Sequence, residues 1–129
     1  MQQSFIVLGN GLTDLYEFKA LIDYNHERID RIVFFHTPKS QKQRSSVAII
    51  MQPTPNRKFQ AIYMMLDAMN YPYPDGNKKY TMIQSFATPY QIEMVGIDVH
   101  APDDYPELDL YFNYLKSVLR LQRWIPPLE

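Results

Sequence analysis

Phe59-Gln60-Ala61-Ile62-Tyr63-Met64-Met65-Leu66-Asp67-Ala68-Met69 is the segment on which the fold turns. Phe59, Ile62, Tyr63 and Leu66 trace a helical stripe, and its Ala, Met and Leu residues favour helix. A continuous apolar run between turn signals suits a buried strand as well. Only a short connection, opened by Pro53-Thr54-Pro55, separates the segment from the apolar stretch Ser46 to Gln52. That brevity favours a third antiparallel strand, with a helix kept as the alternative.

Working backwards, Arg28 to His36 is rich in β-branched and aromatic residues and reads as a strand, joined to Ser46–Gln52 through the polar, basic connection Pro38–Ser45. Ser4 to Leu8 is a short first strand, stopped by Gly9-Asn10-Gly11. Asp14 and Glu17 have capping-box spacing, and Leu15, Phe18 and Ile22 make one face of a helix running to about Asn25. Working forwards, Asn70 to Gly76 is a proline-stiffened loop and Lys78 to Ala87 a short helix closed by Pro89. Tyr90 to Val99 reads as a strand. Asp104 and Glu107 repeat the capping spacing before a last helix to about Arg123, with Leu108, Tyr111, Leu115, Val118 and Leu119 on its apolar face.

The order β-α-β-β-β-α-β-α predicts a single α+β domain over residues 1–129, a mixed or antiparallel sheet covered by helices. Its inner part, αβββαβ, has the core order of restriction-endonuclease-like domains. Such nucleases hold Mg²⁺ with acids on the second and third core strands. Here those strands offer Ser45-Ser46 and Phe59-Gln60-Ala61-Ile62-Tyr63, which supply no carboxylate.

The chain has 129 residues, a length that excludes a two-lobed kinase. It has no cysteine, which excludes thiolate chemistry and suits a reducing cytoplasm. No apolar run is long enough for a membrane span and no secretory leader is apparent. The net charge of −1 hides alternating blocks: −3 over residues 1–27, +6 over 28–58, −6 over 59–115 and +2 beyond. A pI near 6.3 points away from a nucleic-acid binder. The basic hairpin with Lys39, Lys42 and Arg44 is the candidate anion site.

Gly9-Asn10-Gly11 falls between a strand and a helix, where backbone amides can cradle phosphate, but neither a dinucleotide fingerprint nor a Walker A loop is completed. No metal or cofactor is implied. Were the protein an enzyme, the working groups would be His36, His100 and Glu17, meeting in one cleft. Ten tyrosines, many clustered (Tyr71, Tyr73, Tyr80, Tyr90, Tyr105, Tyr111, Tyr114), together with Trp124 and the tail Ile125-Pro126-Pro127-Leu128, suit a contact surface. A rim closing a small core accounts for the tyrosines equally well.

Phe5–Phe18 (FIVLGNGLTDLYEF), Phe34-Phe35-His36-Thr37, Val47–Thr54 (VAIIMQPT) and Tyr114–Leu128 (YLKSVLRLQRWIPPL) resemble a family of small uncharacterised bacterial, Firmicutes-type proteins, over nearly the whole chain. Some members carry the label methylthioribose kinase. The sequence shows no glycine-rich nucleotide loop, catalytic Asp loop or metal-binding Asp to match that label. The expectation is a non-catalytic, self-associating binding or interaction module, a homo-oligomer with room for another protein partner. The competing class is a small-molecule or phosphate-handling enzyme, or a degenerate nuclease-like binder.

Overall fold

A computed structural model describes residues 1–72 and 77–127. The elements are β1 (Gln2–Leu8), α1 (Leu15–Asn25), β2 (Ile29–His36), β3 (Arg44–Met51), β4 (Phe59–Asn70), α2 (Lys78–Ala87), β5 (Met94–Asp98) and α3 (Leu108–Leu121). The single sheet has the order β1-β4-β3-β2-β5. β2, β3 and β4 form an antiparallel meander, while β1 pairs parallel with β4 and β5 parallel with β2. Only β3 therefore runs against the rest.

The decisive segment is a strand. β3 and β4 lie in the middle of the sheet with helices on both faces, so both rows of their side chains are covered. Covered strands read as continuous apolar runs instead of alternating ones. The connections β1-α1-β2 and β4-α2-β5 both join parallel strands in the same direction along the sheet. Connections of one hand then put both helices on one face. Leu15, Phe18 and Ile22 of α1 and Ile83, Phe86 and Ala87 of α2 pack there on Ile32, Phe34, Val47 and Ile49. α3 covers the other face with Tyr111, Leu115 and Leu119, spaced four residues apart, against Val33, Phe35, Ala48, Ile50 and Met64.

Several boundaries differ from the sequence reading. Asp14 precedes α1 but makes no capping bond to it. Its carboxylate turns back and accepts a hydrogen bond from the Gly11 amide at 2.9 Å. α3 begins at Leu108, later than Asp104 suggested, because Pro106 disfavours a helical residue before it and Tyr105 is extended. Asp104 instead closes the 3₁₀ turn Pro102–Asp104 by accepting from the Ala101 amide at 3.3 Å. Leu108 is 43% exposed and not part of the buried face. β5 starts at Met94, since Pro89 sits in a 3₁₀ turn and Gln91 has φ of 56°.

The basic block also resolves into something different from a patch. β2 and β3 form a hairpin, so residues 28–58 return to where they began. Arg28, Arg31, Arg57 and Lys58 lie at the amino ends of β2 and β4, called the lower end here, and Lys116, Arg120 and Arg123 of the last helix join them. Among the described residues Asp23, Glu27, Asp30 and Glu93 offset them there. The upper end, at the carboxyl ends of these strands, holds Lys39, Lys42, Arg44, Lys78 and Lys79 among the more numerous acids Asp14, Glu17, Asp67, Asp98, Asp103, Asp104, Glu107 and Asp109. Among the described residues the molecule is acidic at one end and basic at the other.

Candidate functional site

The upper end holds most of the residues singled out from sequence, and it separates them. The His36 side chain lies on the face covered by α1 and α2, over Gly96 of the neighbouring strand. Its Nδ1 is 2.8 Å from Ser45 Oγ and its ring stacks on Tyr71 at 4.1 Å. Burial pushes its pKa below the ordinary histidine value, with Asp98 opposing the shift. His100 belongs to the α3 face, stacked on Tyr114 at 5.0 Å. Glu17 is exposed on α1, across the sheet from α3. His36 and Glu17 lie on the α1/α2 side of the sheet and His100 on the α3 side, so the three groups do not form one cleft. Among the described residues no three His, Asp or Glu side chains gather to hold a metal ion.

Of the basic hairpin, Lys42 and Arg44 share an open depression of about 490 Å³ with Asn10, Asp67 and Asn70, while Lys39 lies apart from them. Arg44 is half-buried and donates to Asn70 Oδ1 at 2.8 Å and to the Asp67 carbonyl. Lys42 pairs with Asp103 at 3.8 Å. Lys39 lines a separate depression of about 270 Å³ with Asp98, His100 and Tyr114. Lys79 bonds the Asn10 and Ala68 carbonyls, and burial, with Arg44 nearby, lowers its pKa. The Gly9–Gly11 turn is filled from within: a Cβ on Gly9 would lie 2.4 Å from the Asp14 carboxylate. The chain's own anion sits where a phosphate would.

Most of the clustered tyrosines are engaged inside the fold. Tyr111 is fully buried and its hydroxyl donates to the His100 carbonyl at 2.9 Å. Burial raises its pKa well above the tyrosine range. Tyr105 and Tyr114 pack on it and on each other. Tyr80 packs on Phe34, and Tyr90 donates to Asp23 at 2.7 Å. Tyr73 and Leu128 lie outside the described residues.

The lower end carries what the sequence reading left unassembled. Gln3 and Gln60 face each other on paired strands, and both side chains are buried. Gln3 Nε2 donates to Gln60 Oε1 at 3.1 Å and to the Pro126 carbonyl at 3.0 Å. Gln60 Nε2 donates to the Met51 carbonyl at 2.8 Å, and Arg120 donates to Gln3 Oε1 at 2.7 Å. Beside this satisfied network lies a cleft of about 510 Å³, bounded by Arg120, Arg123, Trp124, Pro126, Pro53 and Gln52 among others. The Arg31 guanidinium sits 5.4 Å from the centre of the Trp124 ring.

A third surface is the free edge of β1. Ile6 and Val7 are 36% and 47% exposed, while Phe5 turns inward to stack on Phe112 at 4.7 Å. No helix among the described residues is long and apolar enough to cross a membrane. These features define a small α+β protein with one mixed sheet, helices on both faces and a cleft at its basic end. The chain belongs to the family described as a domain of unknown function, DUF7147, which it matches over residues 1–125. No curated protein and no solved structure matches it.

Proposed function

We propose that the protein is a non-catalytic interaction module that self-associates, two copies meeting through β1. The carrying observation is the character of that edge. Edge strands expose unpaired amides and carbonyls, and proteins usually guard them with charge, proline or a bulge. β1 itself has no charged residue and no proline, keeps unbroken register with β4 from Gln2 to Leu8 and exposes Ile6 and Val7; Lys116 of α3 covers one carbonyl at its lower end, that of Gln3. The opposite edge, β5, is shorter, is preceded by Glu93 and ends on Asp98.

The charge layout favours a second copy as the occupant. Two-fold pairing of antiparallel β1 strands sets the acidic upper end of one copy beside the basic lower end of the other. Sedimentation of the intact chain in physiological salt tests this. A dimer that becomes a monomer in Ile6→Lys and Val7→Lys, with unchanged circular dichroism, supports it. A monomer at high concentration, or a dimer indifferent to both substitutions, ends it, and capture of a different protein through β1 would replace the second copy. The same reading places the protein in a bacterial cytoplasm, on the absence of cysteine and the Firmicutes-type resemblance. A methylthioribose kinase would need a phosphate cradle, and the Gly9–Gly11 turn already holds Asp14.

A further inference from the structure

We infer that the lower cleft is a binding site for a small anion with a flat apolar body, an aryl or heteroaryl carboxylate or phosphate. The end of α3 supplies the first argument. The Trp124 amide bonds the Leu119 carbonyl and the Arg123 amide bonds the Arg120 carbonyl, at 2.9 and 3.0 Å. That pair of bonds is a Schellman motif, and its left-handed position is usually glycine. Here it is Arg123, with φ of 61°. An arginine in that conformation is strained, as are Gln43, Arg57, Asp67 and Gln91 elsewhere in the chain, and such strain clusters at functional sites. Arg123 lines the cleft, and its guanidinium pairs with no acid among the described residues.

The second argument is the rest of the wall. Trp124, Pro126 and Pro53 give flat apolar surface, and Arg120 is fixed by its bonds to Gln3. Asp30 also borders the cleft, but its carboxylate is held by Arg31 at 2.8 Å. The volume of about 510 Å³ is that of a small-molecule site. The surrounding excess of arginine and lysine attracts anions. The cleft adjoins β1, whose Gln3 holds Arg120 and the Pro126 carbonyl, but all its lining residues come from one chain, so anion binding does not require a dimer.

Trp124 is the only tryptophan, so its indole N–H resonance reports on this cleft alone. Benzoate and phenyl phosphate are titrated against the intact chain, with benzamide as the neutral control. Saturable shifts with either anion, at least tenfold weaker with benzamide and weakened by salt, support the site. Benzoate alone assigns a carboxylate ligand and phenyl phosphate alone a phosphate. The separating variant is Arg123→Gly, which relieves the strain and removes the guanidinium together. It should raise the thermal midpoint while weakening anion binding about tenfold. Binding by neither anion, equal binding of benzamide, or unchanged affinity in Arg123→Gly overturns the assignment.

Discussion

The ring of His36 lies over the bare Cα of Gly96: a Cβ built there would approach His36 Nε2 to 2.6 Å. Gly96 is the residue register-paired with Phe34, two positions before His36 on β2. The glycine makes the space in which the imidazole stacks on Tyr71 and reaches Ser45. Gly96→Ala should cost about 1–3 kcal/mol by overpacking, measured by urea denaturation. In a His36→Ala background the same substitution should cost much less. Equal costs in both backgrounds would show that the ring is not what the glycine accommodates.

The pH dependence of that histidine has a fixed sign. Its folded pKa lies below the unfolded value, mainly through burial, so the unfolded chain binds the proton more readily. His36 therefore imposes no penalty above the unfolded pKa of about 6.5, and the penalty grows as pH falls from there toward the folded pKa. Denaturation midpoints at about pH 7.5 and about pH 5.5 should differ less in His36→Asn than in the parent.

Gln3 sits at the junction of β1, β4, α3 and the tail. Gln3→Leu strands the Gln60 carbonyl oxygen, the Pro126 carbonyl and the Arg120 guanidinium, and should destabilise by about 2 kcal/mol. Adding Gln60→Leu should cost less than its own single substitution does, because the partner it would orphan has gone. A strictly additive pair would refute the network.

Added salt should loosen the proposed dimer, since opposed acidic and basic ends are screened beyond about 10 Å at 0.1 M. Sedimentation across a salt series checks it. A dimer that strengthens with salt would mean that apolar contact at Ile6 and Val7 acts alone.

The fold was legible wherever period and punctuation agreed. β1, α1, β2, α2 and the body of α3 were marked by apolar spacing and by Gly, Pro or Asn at their ends. β4 was ambiguous because a strand covered on both faces loses its alternation. The start of α3 was misplaced because Asp104 and Glu107 mimic a capping box while Pro106 between them forbids the helix. The candidate site was less legible, for a geometric reason. Which histidines share a face depends on sheet register and on where the chain turns after β5. Gln3 meets Gln60, 57 residues away, through the same register. Two signals were available: a glycine inside the β5 pattern, which marks close approach, and an arginine where a helix usually ends in glycine.

Asp14 gives the first strand-to-helix junction a resident counter-ion of the chain's own making. In open α/β sheets ligands bind beyond the carboxyl ends of the strands, the end of the sheet on which this junction lies. Here it is spent on fixing the doorway of α1. The cleft and the edge that we propose as recognition surfaces lie accordingly at the far pole and the flank of the sheet.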